Sequence, residues 1–258
     1  MKLNQVAAQL FTLREHCKTP ADLAASLKKV AAIGYPAVQI SGIGPIPEAD
    51  LVKICRDNNL TICATHENGQ VILNEPQKIV AKLQALGCRH TAFPHPGAYK
   101  FETFAEVKDL AAKLNAAGKV LAAAGLTLSY HNHSVEFRRI AGKTILEHIY
   151  DLTDPRYLKG EPDTYWIQTG GGEPTAWCHR LKGRLPLLHM KDYVVTAPDN
   201  KPTMAEIGNG NLHWKTIVQA ADAAGCEWFI VEQDRCPGDP FDSLRQSFQY
   251  IRDHLCSR

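Results

Sequence analysis

The chain has 258 residues, of which 45% are hydrophobic and 22% charged, a composition typical of a globular protein with a substantial buried core. These proportions exclude disordered, collagen-like and coiled-coil chains. The 29 lysines and arginines nearly balance the 27 acidic residues, and a net charge of +2 argues against a nucleic-acid partner.

The first residues, MKLNQVAAQLFTLREHCK, contain no sustained apolar stretch, and no later segment approaches the roughly 18 apolar residues of a membrane span. We therefore expect no membrane partner and a cytoplasmic location. The eight cysteines are scattered without a CxxC pair, which argues against a zinc ribbon or a thioredoxin-type site. We expect them to be free and mostly buried thiols.

Short apolar runs rich in β-branched residues alternate with longer segments of helical period along the whole chain. Strands are predicted over 4–9, 37–42, 60–66, 90–94, 126–131, 164–169, 186–191 and 228–233. Helices are predicted over 20–33, 47–58, 76–86, 104–124, 145–152, 173–181, 214–224 and 239–254. This alternation is typical of βα units on a parallel sheet whose outer face is covered by helices.

The helix ends carry a repeated turn signal. An Ala-Xaa-Gly pattern precedes four of the predicted strands, and its glycines, Gly34, Gly87, Gly125 and Gly225, can take the left-handed conformation that ends a helix. Eight βα units in about 250 residues favour a closed (β/α)8 TIM barrel over an open doubly wound sheet. We therefore predict an α/β protein with one barrel domain over residues 1–258.

Polar side chains follow six consecutive predicted strands. A parallel barrel carries its active site at the carboxyl ends of its strands, so these side chains are predicted to lie around one mouth. They are His66, His95, His131, His133, Glu136, Gln168, His189, Lys191, Asp192, Glu232, Asp234 and Arg235. Each alone is equally well explained as a strand end that reaches solvent, but the succession favours a functional site.

Carboxylates and an imidazole on separate strands can converge on one divalent cation, and this mixed donor set suits Mn²⁺, Mg²⁺, Co²⁺ or Zn²⁺. Glu136, His189 and Glu232 are the candidate ligands. The competing interpretation makes His189 a hydrogen-bonded core histidine and Glu232 an ion-pair partner of Lys191 or Arg235.

Several motifs together resemble a known family. VAAQLFTLRE, YHNHSVEF, DTYWIQTGGGEP, LLHMKD, EIGNGNLHW and FIVEQD occur in this order across the chain. The set resembles the xylose isomerase-like TIM barrels, which include sugar phosphate isomerases/epimerases, ketose 3-epimerases and inosose dehydratase. The resemblance implies one metal held by Glu, Asp, His and Glu at the ends of the fifth to eighth strands.

Carried onto this chain, those ligands fall on Glu136, Gln168, His189 and Glu232. Gln168 departs from the family pattern, because an amide oxygen can coordinate a hard cation but brings no charge. Gly171 likewise stands near a position where ketose epimerases usually have a substrate-binding histidine.

The resemblance also implies a chemistry. In the related enzymes the metal polarises a carbonyl group, and two carboxylates exchange protons through an enediolate; here these catalytic carboxylates would be Glu136 and Glu232. Substrate contacts are expected from His66, His95, His133, Lys191 and Trp166. Each of three residues has an equally good structural interpretation. His66 can be a buried structural histidine, Lys191 can form an ion pair with Asp192 or Glu232, and Trp166 can pack in the core.

Three functions remain open for a small-molecule sugar substrate. The first is a metal-dependent isomerase or epimerase, and the second is a dehydratase or lyase acting on a keto-sugar, keto-inositol or 3-keto-glycoside. The third is a non-catalytic sugar-binding barrel that lost its metal with the change to Gln168. An endonuclease IV-like enzyme would need a richer ligand set and a basic surface. Whether the chain forms a homo-oligomer is left open.

Overall fold

Eight parallel strands form the wall of a barrel in the computed structural model, which describes residues 1–256. In chain order they are Val6–Gln9, Ala37–Ile40, Thr61–His66, His90–Phe93, Thr127–His131, Leu158–Glu161, Leu187–Met190 and Trp228–Val231. Seven of the eight predicted strands are confirmed within a few residues. The predicted (β/α)8 TIM barrel is confirmed as well.

The barrel closes at its carboxyl-end mouth. The hydrogen-bonded strand order runs from the sixth strand through the fifth to the first, then to the eighth and seventh. The two outermost strands are joined by a parallel bridge between Asp163 and His189, where the His189 amide donates to the Pro162 carbonyl at 3.0 Å. Closure thus brings the end of the sixth strand against His189.

The described part of the chain contains ten α-helices, α1 to α10. They span Pro20–Ile33, Glu48–Asp57, Gly69–Asn74, Pro76–Leu86, Phe104–Ala123, Ile145–Asp151, Thr164–Thr169, Pro174–Arg180, Trp214–Ala224 and Pro240–His254. Three of them follow a threonine cap whose hydroxyl accepts a hydrogen bond from the amide of the third helical residue. The acidic side chain of that third residue accepts in turn from the backbone amide of the threonine. None of these helices is long and apolar enough to cross a membrane.

The predicted sixth strand, 164–169, is wrong. That segment is the short helix α7, and the Asp163 side chain caps it by accepting from the Trp166 amide at 3.0 Å. The true sixth strand is Leu158–Glu161, a short and polar run. Its pairing with the fifth strand overrides the β-branched and aromatic character of TYWIQT, because strand preference depends on the available partners.

The inside of the barrel has an apolar layer with a polar layer above it. The apolar layer consists of Ala7, Ala37, Cys63, Ala64, Leu187 and Ile230. Residues two positions apart on a strand face the same way, so the next inward positions form the polar layer. These positions are occupied by Gln9, Gln39, His66, His189 and Glu232. All eight cysteines are free, and six of them are buried.

Candidate active site

A cavity of about 410 Å³ opens at the carboxyl-end mouth of the barrel. Of the residues predicted to contact substrate, His66, His95, His133 and Lys191 line it, together with Glu232. A larger groove of about 530 Å³ lies between α3 and α5, but charged side chains there pair with one another. The cavity at the mouth is therefore the candidate site.

Four buried side chains at this mouth place one donor atom each within 4.8 Å of one another. We call them the outer group: His131, Asp163, His189 and Glu232. They come from the ends of the fifth, sixth, seventh and eighth strands. Two imidazole nitrogens and two carboxylate oxygens form a donor set that suits a first-row divalent cation.

Asp163 Oδ2 is a buried oxygen without a hydrogen bond, and it faces the other members of the outer group. It lies 3.9 Å from His131 Nε2, 3.9 Å from His189 Nδ1 and, in an ion pair, 3.0 Å from Lys191 Nζ. Buried polar atoms are nearly always hydrogen-bonded, so a carboxylate oxygen held only by opposite charge fits a cation at this position. The residues present therefore fit a divalent cation.

A second set of possible ligands overlaps the first. We call it the inner group: His66, His131, Glu161 and His189. Its single carboxylate is already engaged, since Glu161 Oε1 accepts from Gln39 Nε2 at 2.6 Å and Oε2 lies 2.6 Å from His66 Nε2. The inner group is thus a hydrogen-bonded layer beneath the outer group.

Lys191 is buried among carboxylates. Its Nζ lies 2.7 Å from Glu232 Oε2, 3.0 Å from Asp163 Oδ2 and 3.1 Å from Asp234 Oδ1. Burial disfavours the ammonium, but Asp163 and Glu232 outweigh it and raise the pKa of Lys191. Lys191 therefore stays charged, and it does not pair with Asp192, whose carboxylate accepts from the loop that contains Gly208.

The charges of the outer group are set by their neighbours. Burial favours the neutral forms, yet the nearby Glu161 and Glu232 raise the pKa of His189 to about 10. Lys191 and His189 in turn hold the pKa of Glu232 well below its usual range, despite burial. Burial raises the pKa of Asp163 to about 6 and lowers that of His131 to about 3. At neutral pH the carboxylates of Asp163 and Glu232 are thus ionised and His131 is neutral, while His189 carries a proton that a bound cation would displace.

A family model described as xylose isomerase-like TIM barrel matches residues 27–254. The chain belongs to this family. Members of this family include isomerases, epimerases and dehydratases, and the resemblance inferred from the motifs is confirmed.

Individual relatives of this xylose isomerase-like barrel are distant. An inosose dehydratase of Mesomycoplasma hyopneumoniae (strain J / ATCC 25934 / NCTC 10110) is 27% identical, with 88% of this chain and 87% of that protein covered. One from Geobacillus thermodenitrificans (strain NG80-2) is 26% identical over 54% of this chain and 52% of its own length. A sugar phosphate isomerase/epimerase structure from Parabacteroides distasonis ATCC 8503 superposes with a TM-score of 0.84 at 23% identity, covering 99% of this chain and 96% of that one.

Two predicted metal ligands lie outside both groups. Glu136 is fully buried, and it accepts from Tyr130 Oη at 2.9 Å and from the His133 amide at 2.8 Å. It lies on the short 3-10 turn Val135–Phe137, and these two donors hold both of its carboxylate oxygens. Gln168 lies on α7, beyond the true end of the sixth strand. The structure therefore brings together His189 and Glu232 of the predicted ligands, while Glu136 is held by Tyr130 and the His133 amide, and Gln168 lies on α7.

Asp163 supplies the sixth-strand carboxylate that the sequence analysis did not find. The true strand ends at Glu161, and Asp163 follows after Pro162. The acidic run GEPD could have indicated this strand end, but the strand predicted over 164–169 placed the end farther along the chain. His131, noted as a strand-end residue, occupies the fifth-strand position expected for Glu136. The donor set is thus two histidines and two carboxylates.

The remaining predicted substrate residues lie around the cavity. The His95 and His133 rings meet edge to face at 4.9 Å, and burial lowers the pKa of both, that of His133 to about 2. As neutral imidazoles they can donate to and accept from hydroxyl groups. Trp166 lies behind them, with its ring 5.3 Å from that of His133 and 5.5 Å from Lys191 Nζ.

Proposed function

We propose that the protein is a divalent-metal-dependent isomerase or epimerase that removes a proton from the carbon beside a carbonyl group in a sugar, keto-sugar or sugar phosphate. The observation that carries the proposal is the outer group, whose four buried donor atoms lie within 4.8 Å of one another beside the mouth cavity. The family's known enzymes and the sugar phosphate isomerase/epimerase fold are consistent with it.

In this proposal His131, Asp163, His189 and Glu232 hold one Mn²⁺, Mg²⁺, Co²⁺ or Zn²⁺ ion. When bound, such a cation acts as a Lewis acid toward a substrate carbonyl and makes the neighbouring C–H more acidic. The support from the chain is the chemistry of the donor set and the buried Asp163 Oδ2, which has no hydrogen bond and lies 3.9 Å from His131 Nε2 and from His189 Nδ1.

Glu232 is the proposed base. It lines the cavity, and the neighbouring Lys191 and His189 keep its pKa low and its carboxylate ionised at neutral pH, the form that a base requires. The Lys191 ammonium, 2.7 Å away, stabilises negative charge that develops on a substrate oxygen. His66, His95 and His133 bind and orient the hydroxyl groups, and Trp166 supports His133 from behind.

A second candidate is a dehydratase or lyase acting on a keto-inositol, keto-sugar or 3-keto-glycoside. The inosose dehydratases among the relatives favour it, and so does the position of Glu136 away from the cavity, because two-carboxylate exchange then lacks this partner. In elimination Glu232 takes the α-proton, the electron pair of the broken C–H bond forms the C=C bond, and the β C–O bond breaks. Lys191 gives the leaving oxygen a proton, and that oxygen departs as water or, from a 3-keto-glycoside, as the aglycone alcohol.

The test is a panel of ketoses, keto-inositols and 3-keto-glycosides incubated in D₂O with Mn²⁺, Co²⁺ or Mg²⁺. We expect metal-dependent deuterium incorporation at the carbon beside the carbonyl, and NMR measures it. An epimer or isomer identifies the first function, and loss of water or of the glycosidic group identifies the second. Sugar binding with neither metal binding nor exchange would instead identify a non-catalytic barrel and reject the proposal.

A further inference from the structure

Three buried side chains beneath the outer group form a hydrogen-bonded chain across the barrel. Gln9, Gln39 and Glu161 are fully buried at the ends of the first, second and sixth strands. Gln9 Nε2 donates to Gln39 Oε1 at 2.7 Å, and Gln39 Nε2 donates to Glu161 Oε1 at 2.6 Å. Gln39 Oε1 also lies 2.7 Å from Nε2 of His189.

The chemistry of these groups determines the direction of each bond. An ionised carboxylate only accepts hydrogen bonds, so the Gln39 amide must turn its NH₂ group toward Glu161. Its carbonyl oxygen then faces His189, and a carbonyl oxygen also only accepts. His189 Nε2 must therefore carry a hydrogen, which leaves Nδ1 as the ring nitrogen free to give up its proton.

That second nitrogen faces the outer group. His189 Nδ1 lies 3.0 Å from Glu232 Oε2 and 3.9 Å from Asp163 Oδ2. We infer that Gln39 is a positioning residue, which holds His189 with a hydrogen on Nε2 and so assigns Nδ1 as the metal-binding nitrogen. This inference rests on the proposed metal-dependent function.

Glu161 extends the same control to its neighbours. One of its oxygens orients the Gln39 amide, and the other lies 2.6 Å from His66 Nε2 and 3.5 Å from His131 Nδ1. A single buried carboxylate thus organises a layer that contacts two proposed ligands. Partners that orient metal ligands in this way typically contribute about 10–100-fold to metal affinity.

The test compares Mn²⁺ dissociation constants of the wild type, Gln39→Met and the double variant Gln39→Glu/Glu161→Gln. Methionine fills similar space without an acceptor for His189, so we expect Mn²⁺ binding about 10–100-fold weaker. The double variant exchanges the amide and the carboxylate. The new carboxylate at position 39 accepts from Gln9, His189 and the new amide at 161, whose oxygen faces His66, so every bond is retained and affinity should return to near wild type.

A spectroscopic measurement separates positioning from packing. In the Zn²⁺-loaded protein with ¹⁵N-labelled histidine, we expect a slowly exchanging Nε2–H signal from His189 in the wild type and the double variant. Gln39→Met should lose this protection. If Gln39→Met does not fold, the double variant decides the matter, because it must both bind Mn²⁺ and show the Nε2–H signal.

The outcomes distinguish the two proposals. A wild type that binds neither Mn²⁺ nor Zn²⁺ rejects the proposed function itself. A wild type that binds metal, together with Gln39→Met of equal affinity or a folded double variant of low affinity, leaves the proposed function standing and overturns the role of Gln39.

Discussion

The loop after the fifth strand and the end of the eighth strand each bury a carboxylate, with opposite results. Burial raises the pKa of Glu136 to about 7. The groups that face it, Tyr130 Oη and the His133 amide, are neutral donors, and their hydrogen bonds offset only part of this rise. Glu232 lies beside Lys191 and His189, and these charges outweigh burial and keep its pKa well below the usual range. Neighbouring charge, more than burial, therefore separates the structural carboxylate from the reactive one.

The largest expected effect concerns the reactive member of this pair. Glu232→Gln removes the proposed base and one ligand charge, so kcat should fall by about 10²–10⁴-fold. Glu136→Gln is the matched control, since it makes the same change outside the outer group, and its kcat should stay within about threefold of wild type. Steady-state assays with the substrate found in the panel measure both, and equal losses would break the comparison.

The structural member should reveal itself in the pH dependence of stability. Below its ordinary pKa of 4.5, Glu136 is protonated in the folded and unfolded states alike, so it imposes no penalty. As the pH rises from 4.5 through about 7, the unfolded chain ionises first, and folding loses stability. Relative to Glu136→Gln, the wild-type free energy of unfolding should fall by about 2–3 kcal/mol between pH 5 and pH 8.

Urea titrations of both proteins at each pH measure this difference. A wild type that instead gains stability over the same range would mean that Glu136 is ionised in the folded state. It would then belong with Glu232, as the family pattern implied, and the distinction between the two carboxylates would fail.

The sixth strand offers a sharper version of the same comparison. Asp163→Asn keeps an oxygen in the outer group but removes its charge. Mn²⁺ affinity should therefore fall by at least about tenfold, since that loss is typical even of residues that only hydrogen-bond to a metal ligand. Gln168→Glu adds a carboxylate on α7 outside the group and should leave affinity unchanged. Calorimetric titration measures both, and tighter Mn²⁺ binding in Gln168→Glu would restore the ligand set inferred from the motifs.

The smallest effect is expected from the side chain beside Glu136. Glu136 holds the backbone amide of His133, while the His133 imidazole lines the cavity. His133→Ala should raise KM about fivefold through the loss of one hydrogen bond of about 1 kcal/mol, with Mn²⁺ affinity unchanged. A fall in Mn²⁺ affinity would instead place this loop within the metal site.

Local patterns in the sequence were sufficient for most of the architecture. The alternation of short apolar runs and helical segments predicts seven of the barrel strands, because strand and helix periods are properties of neighbouring residues. The same alternation places His66, Lys191 and Glu232 at the mouth cavity and His189 in the outer group, since residues at the carboxyl ends of parallel strands must meet there. Gln9 and Gln39 are polar residues in apolar strands, and this local pattern does not indicate their partners.

The amino-acid sequence thus predicts the barrel, its active end and the seventh- and eighth-strand members of the site. The assignment of Leu158–Glu161 as the sixth strand, and with it the place of Asp163 in the outer group, comes from the folded chain. The contact of Glu136 with Tyr130 does too. Strand partners, and the direction of a side chain after a turn, depend on contacts between distant parts of the chain, and a local pattern does not contain them.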